Sequence, residues 1–240
     1  MDGLVDLHTH ILPGVDDGAH DLGESLRMLE GLRDLDFAHV FATPHHRLHS
    51  WEGIAPMTVL SGVQVLREAA QKKKLDVRVY PGVEFDLDEI LVERVSDRPG
   101  GGKYVLVDIG FWGVPHDLTG LLGQVMESGV EILLAHPERN GELCRQPDLM
   151  KSLLLNGVRF TGNLGSLSGL YGDRIRKDCL ELLRGGFYWA MASDLHSPKQ
   201  VSSIKRGLEE LRKNVHRDGV RDLLYHHPIM VAQAIGEDLS

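Results

Sequence analysis

Seven short runs rich in β-branched, aliphatic and aromatic residues alternate with longer stretches of helical periodicity along almost the whole chain. The runs are GLVDLHT (3–9), FAHVFAT (37–43), VRVYPGVE (77–84), YVLVDIG (104–110), EILLAHP (131–137), GVRFTGN (157–163) and YWAMASD (188–194). Between them, DLGESLRMLEGLRDLD (21–36) places Leu22, Leu26 and Leu29 on one face, with Asp21 and Glu24 spaced as a capping box. Similar spacing marks 57–74, 118–129, 147–157, 173–186 and 202–215. Strands separated by helices must cross over and run parallel, so the fold class is α/β. Seven strands come close to the eight of a complete barrel. The expectation is therefore a barrel of about seven strands in a single domain over 1–240, rather than an open doubly wound sheet. The glycines at 100–102 read as a turn, because no strand-then-helix context makes them a phosphate loop.

Charge and cysteine count remove several functions. A net charge of -9 gives no positive field for nucleic acid or anionic membrane. Two cysteines, Cys144 and Cys179, exclude a disulfide framework and a thiolate zinc site. No signal-peptide pattern and no apolar run of about 18 residues is present, so a cytoplasmic protein without membrane insertion is expected.

In parallel α/β folds, active sites gather where strands end. Here the first run ends at His8 and His10, the second at His45 and His46, the third at Glu84 and the fourth at Asp108. The fifth leads to His136, Glu138 and Arg139, the sixth to Asn163, and the seventh to Asp194 and His196. Residues i and i+2 of a strand share a face, so Asp6, His8 and His10 line up, with Asp6 available to orient an imidazole. Asp16 or Asp17 can swing into the same basin. A single buried histidine is more often a satisfied core group than a ligand, and Asp194 also reads as a helix cap. Many polar burials at one rim would each cost a few kcal/mol unless paired, and that joint placement argues for a metal site of more than one ion. Imidazole and carboxylate without thiolate suits Mn, Fe or Zn. His20, His39, His116, His216, His226 and His227 read as structural; His46 and His49 are weaker candidates for substrate contact.

With those residues in view, the chain resembles the polymerase and histidinol phosphatase (PHP) superfamily. Within it, the chain resembles the bacterial metal-dependent protein-tyrosine phosphatases of capsule and exopolysaccharide clusters, the CpsB/YwqE group. DLHTHILPGVDDGA, FATPHH, PGVEF, LLAHPERN, GSLSGLYGDR and ASDLHSP carry the likeness. It implies a distorted (β/α)7 TIM-like barrel and a trinuclear cluster of Mn, Fe or Zn. By position, His8 and His10 with Asp194 hold one ion, Asp17, His45 and Glu84 gather at another, and His136 and His196 complete the set. Asp108 stands where the family usually has a bridging glutamate. Arg139 matches the phosphate-binding arginine, and Arg139, His196 and Asp194 are the implied catalytic residues. The implied partner is a phosphotyrosine protein, the tyrosine-rich tail of a bacterial tyrosine kinase.

Other phosphatase chemistries do not fit. Cys-x5-Arg fails, since Met150 follows Cys144 and Gly185 follows Cys179 at that spacing, and no Gly-x-Ser-x-Gly elbow occurs. The rival readings are a PHP enzyme for a small ester such as histidinol phosphate, a non-catalytic relic, and a proofreading nuclease, which the acidic balance disfavours.

Overall fold

The computed structural model describes residues 3–46, 54–87 and 91–236. Its strands are β1 (Leu4–Thr9), β2 (Phe37–Ala42), β3 (His45–His46), β4 (Arg78–Pro81), β5 (Glu84–Asp86), β6 (Tyr104–Asp108), β7 (Glu131–Ala135), β8 (Arg159–Asn163) and β9 (Tyr188–Ala192). All pair in parallel, in sheets of order β1-β2-β4 and β3-β5-β6-β7-β8-β9. They fill the seven expected positions, because β3 continues β2 and β5 continues β4 after short breaks. Pro44 has no N–H to give to a ladder, which accounts for the first break. Hydrogen bonds from Thr43 N to Thr9 O (2.8 Å), Gly82 N to Ala42 O (2.9 Å) and Glu84 N to Pro44 O (3.1 Å) carry the pairing across.

The last strand does not form a ladder with the first among the described residues. One parallel bridge, Thr9 to Leu195, joins them, with His10 N donating to Leu195 O (3.0 Å) and Asp194 N to His8 O (2.9 Å). The described strands thus form two parallel sheets, with one bridge linking the end of β1 to the segment after β9 and no ladder closing a barrel.

Strand alternation sorts the core into two layers. Tyr104 and Leu106, Leu133 and Ala135, and Ala190 and Ala192 gather with Val5, Leu7, Phe41 and Tyr80 in an inner cluster. Val105, Val107, Ile132, Leu134 and Met191 join the larger cluster that the helices cover. Those helices are α1 (Leu22–Arg33), α2 (Pro56–Lys72), α3 (Leu91–Arg94), α4 (Leu118–Glu127), α5 (Gly141–Cys144), α6 (Pro147–Leu155), α7 (Leu164–Leu167), α8 (Asp173–Arg184), α9 (Val201–Asn214), α10 (Arg217–Arg221) and α11 (Pro228–Ala234). In α1, Leu26, Met28, Leu29 and Leu32 are buried. Asp21 caps it by accepting from Glu24 N (2.8 Å), while the Glu24 carboxylate reaches back to His20 N (3.0 Å), one residue beyond the expected box. From α11, Val231 and Ala232 enter the inner cluster, a contact that the periodicity does not announce. No helix among the described residues is long and apolar enough to cross a membrane.

One irregularity positions the site. Between Asp6 and Thr9, β1 spends three steps against two on β2, where Val40 and Ala42 are the partners. Such a bulge re-aims the side chains beyond it, and bulges recur beside active sites. Val5 and Leu7 belong to the apolar interior, whereas His8 and His10, just beyond, belong to the polar rim.

Candidate metal centre

Two buried carboxylates organise the rim. Glu84 Oε1 lies 2.9 Å from His136 Nε2 and 3.2 Å from His8 Nε2, and its Oε2 lies 2.6 Å from His45 Nδ1 and 3.7 Å from His10 Nε2. Asp194 Oδ1 lies 3.2 Å from both His8 Nε2 and His10 Nε2, and 3.5 Å from His196 Nδ1. Asp17 Oδ1 sits 3.3 Å from His45 Nε2 and 3.7 Å from His196 Nε2, while Asp108 Oδ1 is 3.9 Å from His136 Nδ1. Four overlapping sets of donors result: His10, Asp17, His45 and His196; His8, His136 and Asp194; His8, His10 and Glu84; and Glu84, Asp108 and His136. All nine residues that the family resemblance implies as ligands are in them. The pairing of residues within sets differs from the expected one, since His10 goes with Asp17, His45 and His196, and His136 with Asp194.

The orientation of the imidazoles fits cations. Thr43 Oγ1 donates its one proton to Thr9 O (3.2 Å), so at 2.7 Å it can only accept from His8 Nδ1–H. Asp16 Oδ2 similarly accepts from His10 Nδ1–H at 2.7 Å. In both neutral rings the Nε2 lone pair is thereby aimed at the centre, the arrangement that prepares an imidazole for a metal. His8 Nε2, His10 Nε2, His45 Nδ1 and Glu84 Oε2 are buried and make no hydrogen bond. Unpaired polar atoms crowded into one buried space are costly alone and satisfied by a shared cation.

Without a cation, protons take its place. Burial opposes charge on His10, but the neighbouring carboxylates of Asp16, Asp194 and Glu84 outweigh it and raise the ring to about 10. His45, lifted by Asp17 and Glu84, and His136, lifted by Glu84 and Asp108, reach about 9 against the same burial. Burial works to raise Glu84 and Asp194, yet the surrounding imidazoles hold both below the usual carboxylate range.

Arg139 borders the cluster. Its Nη1 donates to Asp194 Oδ2 at 2.8 Å, an oxygen that also accepts from Asn163 Nδ2 at 2.8 Å. The guanidinium carbon lies 4.3 Å from the ring centroid of Phe111 and 4.3 Å from that of Tyr171. Asn140 Nδ2 holds the Phe111 loop by donating to Gly110 O (3.0 Å) and Gly113 O (2.7 Å). His136 and Asp194 both adopt left-handed backbone, at φ 30° and 52°. Such conformations cost about 1–3 kcal/mol each and persist where the surroundings enforce them, commonly at functional sites.

Some expectations need correction. Asp6 orients no imidazole: its Oδ1 accepts from Ser193 N (2.9 Å) and His8 N (3.3 Å), tying β1 to the end of β9. The orienting carboxylate is Asp16, which also accepts from His45 N (3.2 Å), and Asp17 alone enters a donor set. Asp108 spends one oxygen on Gly110 N (2.8 Å). Glu138, beside the site in sequence, is turned inward, accepting from Asn163 N and Tyr188 Oη, both at 2.9 Å. His46 faces Arg94, with Nδ1 2.9 Å from Nη1, and joins no donor set; His49 lies outside the described residues. His39 binds Tyr80 Oη (2.8 Å) and His227 binds Trp189 O (2.7 Å), as structural residues do. Thr43 and Tyr171 were missed; a hydroxyl two residues before a strand-end histidine was the available signal for Thr43, and Tyr171 had none.

Comparison with known proteins places this geometry in a family. The model of the capsular polysaccharide synthesis family CpsB/CapC matches residues 4–233. The chain belongs to the CpsB/CapC family. Among relatives in and around it, the tyrosine-protein phosphatase YwqE of Bacillus subtilis (strain 168) is 30% identical over 200 residues, covering 82% of this chain and 78% of that protein. A crystal structure from work on YwqE of Bacillus subtilis and CpsB of Streptococcus pneumoniae, described as unique metal-dependent tyrosine phosphatases, superposes with a TM-score of 0.82. It is 26% identical and covers 97% of this chain and 92% of its own. Histidinol phosphate phosphatase from Lactococcus lactis, solved with zinc, L-histidinol and phosphate, shares the fold at a TM-score of 0.56. Its identity is 12%, over 87% of this chain and 93% of its own.

Proposed function

We propose that this CpsB/CapC family member is a metal-dependent protein-tyrosine phosphatase, a phosphoric monoester hydrolase acting as one metallophosphatase domain over 1–240. The observation that carries this reading is the convergence of unbonded His8, His10, His45 and Glu84 atoms on one buried rim bordered by Arg139. Mn, Fe or Zn suits the donors, and Glu84, with imidazoles beside both oxygens, would be among the residues that hold them. His10, Asp17, His45 and His196 would hold one ion. His8, His136 and Asp194 would hold a second, and Asp108 with Glu84 would help to hold a third. The chemistry that cations held by these residues would supply is neutralisation of phosphoryl charge and a lowered pKa for a nearby water.

The chain's own residues do the rest. Asp194 fixes Arg139 by Nη1 alone, leaving the other N–H groups of the fork for the non-bridging oxygens of the phosphoryl group, where transition-state charge grows. Phe111 and Tyr171 hold the guanidinium plane, so little side-chain freedom is lost when substrate arrives. His196 Nδ1 lies 2.9 Å from the Asp194 carbonyl and donates to it, so its Nε2 is an electron-pair donor. Burial and the neighbouring His10 lower its affinity for a second proton. His196 therefore serves better as a ligand than as the acid, and a tyrosyl phenolate, with a pKa near about 10, leaves with little protonation. The tyrosine-protein phosphatase name of the relative YwqE, and the description of the structural match as from metal-dependent tyrosine phosphatases, support phosphotyrosine over small esters as substrate. The partner proposed is a phosphotyrosine protein, the tail of a bacterial tyrosine kinase, met in the cytoplasm.

The test is phosphate release from a phosphotyrosyl peptide and from L-histidinol phosphate, by chelator-stripped protein before and after Mn²⁺ reloading. Metal-dependent release from the peptide at the higher kcat/KM is expected. Faster turnover of histidinol phosphate would transfer the assignment to small esters, and no release from either by loaded protein would leave a relic.

A further inference from the structure

Beside Arg139 the surface opens into a groove of about 510 Å³ whose walls include Trp112, Arg139, Glu142, Arg145, Tyr171 and Arg174. Three arginines against one glutamate make it locally positive on a chain of net charge -9. The two outer arginines converge. A β-carbon at Gly141 would come 2.5 Å from Arg174 Nη1 and 3.6 Å from Arg145 Nη1, so both cationic tips overhang one point of bare backbone. Like charges held together are unfavourable unless an anion lies between them. Arg174 has a partial answer, with Nη1 2.8 Å from Asp178 Oδ2. Arg145, exposed, makes no ion pair among the described residues. Neither side chain touches a donor set of the metal centre, so neither is needed to hold a cation. At the lip Trp112 is 92% exposed, an apolar ring offered to solvent.

We propose that Arg145 and Arg174 form an anion subsite that reads an acidic group flanking the phosphotyrosine, selecting peptides whose neighbouring side chain is anionic. This rests on the phosphotyrosine reading given above. Arg139 takes the phosphoryl group at the inner end of the groove, and the polypeptide runs outward along it, bringing a neighbouring side chain under the paired guanidiniums. The shared chemistry is an oxyanion, from a glutamate carboxylate or from a second phosphotyrosine. Arg forks bind both, the phosphate with more charge. Because the contact is at the rim, it acts on KM and is screened by salt, leaving the chemical step alone.

The experiment compares four substrates at fixed Mn²⁺: para-nitrophenyl phosphate, a phosphotyrosyl peptide with neutral flanks, the same peptide with glutamate flanks, and one with a second phosphotyrosine. Each is tried with the wild type, the double variant Arg145→Ala with Arg174→Ala, and the double variant Arg145→Lys with Arg174→Lys. The wild type is expected to favour anion-flanked peptides by about fivefold or more in kcat/KM, through KM, with the preference shrinking as salt is raised. The alanine pair should erase the preference with para-nitrophenyl phosphate unchanged, and the lysine pair should keep part of it. A glutamate peptide equal to the neutral one, with only the doubly phosphorylated one preferred, would identify phosphate as the ligand and still support the subsite. Equal wild-type rates on all peptides, a preference that survives the alanine pair, or an equal fall on para-nitrophenyl phosphate would overturn it. Turnover of para-nitrophenyl phosphate with none of the peptides hydrolysed would instead remove the phosphotyrosine reading, and the subsite with it.

Discussion

Asp16 sits 2.7 Å from His10 Nδ1, and through that one contact it decides which nitrogen of the ring faces the centre. Removing its charge leaves the ligand in place but less well held. Asp16→Asn is expected to weaken Mn²⁺ binding by about 10–100-fold, the usual cost of losing such a support, with kcat at saturating metal changed far less. Titration calorimetry on stripped protein checks this, and an unchanged affinity would separate Asp16 from the centre. Proton release gives a second test. His10 is raised to about 10 and His45 and His136 to about 9, from an ordinary 6.5, so all three are charged in metal-free protein at pH 7.5. Their contribution to folded stability is then complete below about 6.5 and is lost as pH rises through 9 to 10. A cation must displace those protons, so metal affinity climbs with pH, and binding at pH 7.5 releases about one to three protons per chain. Calorimetry in buffers of different ionisation enthalpy reads the number; none released would mean that these rings are not ligands. The candidate donors other than Asp17 were legible because they cluster at or just past strand ends. Thr43 and Tyr171 were not, since their value lies in contacts with His8 and Asp194, 35 and 23 residues away in sequence.

The strands and helices came through in sequence order because periodicity reports burial, yet their breaks did not. The β1 bulge that separates the apolar Val5 and Leu7 from His8 and His10 leaves no mark in a run of alternating residues. Asp6 was misassigned for the same reason: strict alternation puts it with the histidines, and the irregular register turns it to Ser193. Two glycines separate a constrained element from a free one. Gly18, in the turn carrying Asp16 and Asp17, has the His10 backbone carbonyl pressed against its α-carbon, and an added β-carbon would collide with it. Gly18→Ala is expected to cost about 1–3 kcal/mol in denaturant unfolding and to weaken metal binding by displacing both aspartates. Gly123, within α4, faces open space, and an added β-carbon would meet nothing within 4 Å. Gly123→Ala should stabilise by about 0.5–1 kcal/mol through helix propensity and leave metal affinity alone. Equal effects of the two on metal binding would contradict the role given to the 13–19 turn.

At the scale of the molecule, the rim is a seam. β9 meets β1 through the Thr9–Leu195 bridge, and residues on both sides of it, His8, His10, Asp194 and His196, belong to the donor sets. Cations held by these donors would also fasten this seam, which would link metal binding to fold stability. At a Mn²⁺ concentration 100 times its Kd, one site adds about 2.7 kcal/mol. For a chain of this size each kcal/mol moves Tm by about 2–4 °C, so chelation should lower Tm by about 5–10 °C. A chelated protein with unchanged Tm would contradict the linkage. The parallel α/β class was legible from strand count and spacing. The seam was not, nor was the packing of α11 into the inner cluster, because neither repeats along the chain. The central claim is that this rim holds a cluster of cations, and anomalous difference density from crystals grown with Mn²⁺ tests it most directly. Peaks are predicted within the donor sets, each at bonding distance, about 2 Å, from their ring nitrogens and carboxylate oxygens. Peaks elsewhere, or none in a preparation that hydrolyses phosphotyrosine, would contradict it.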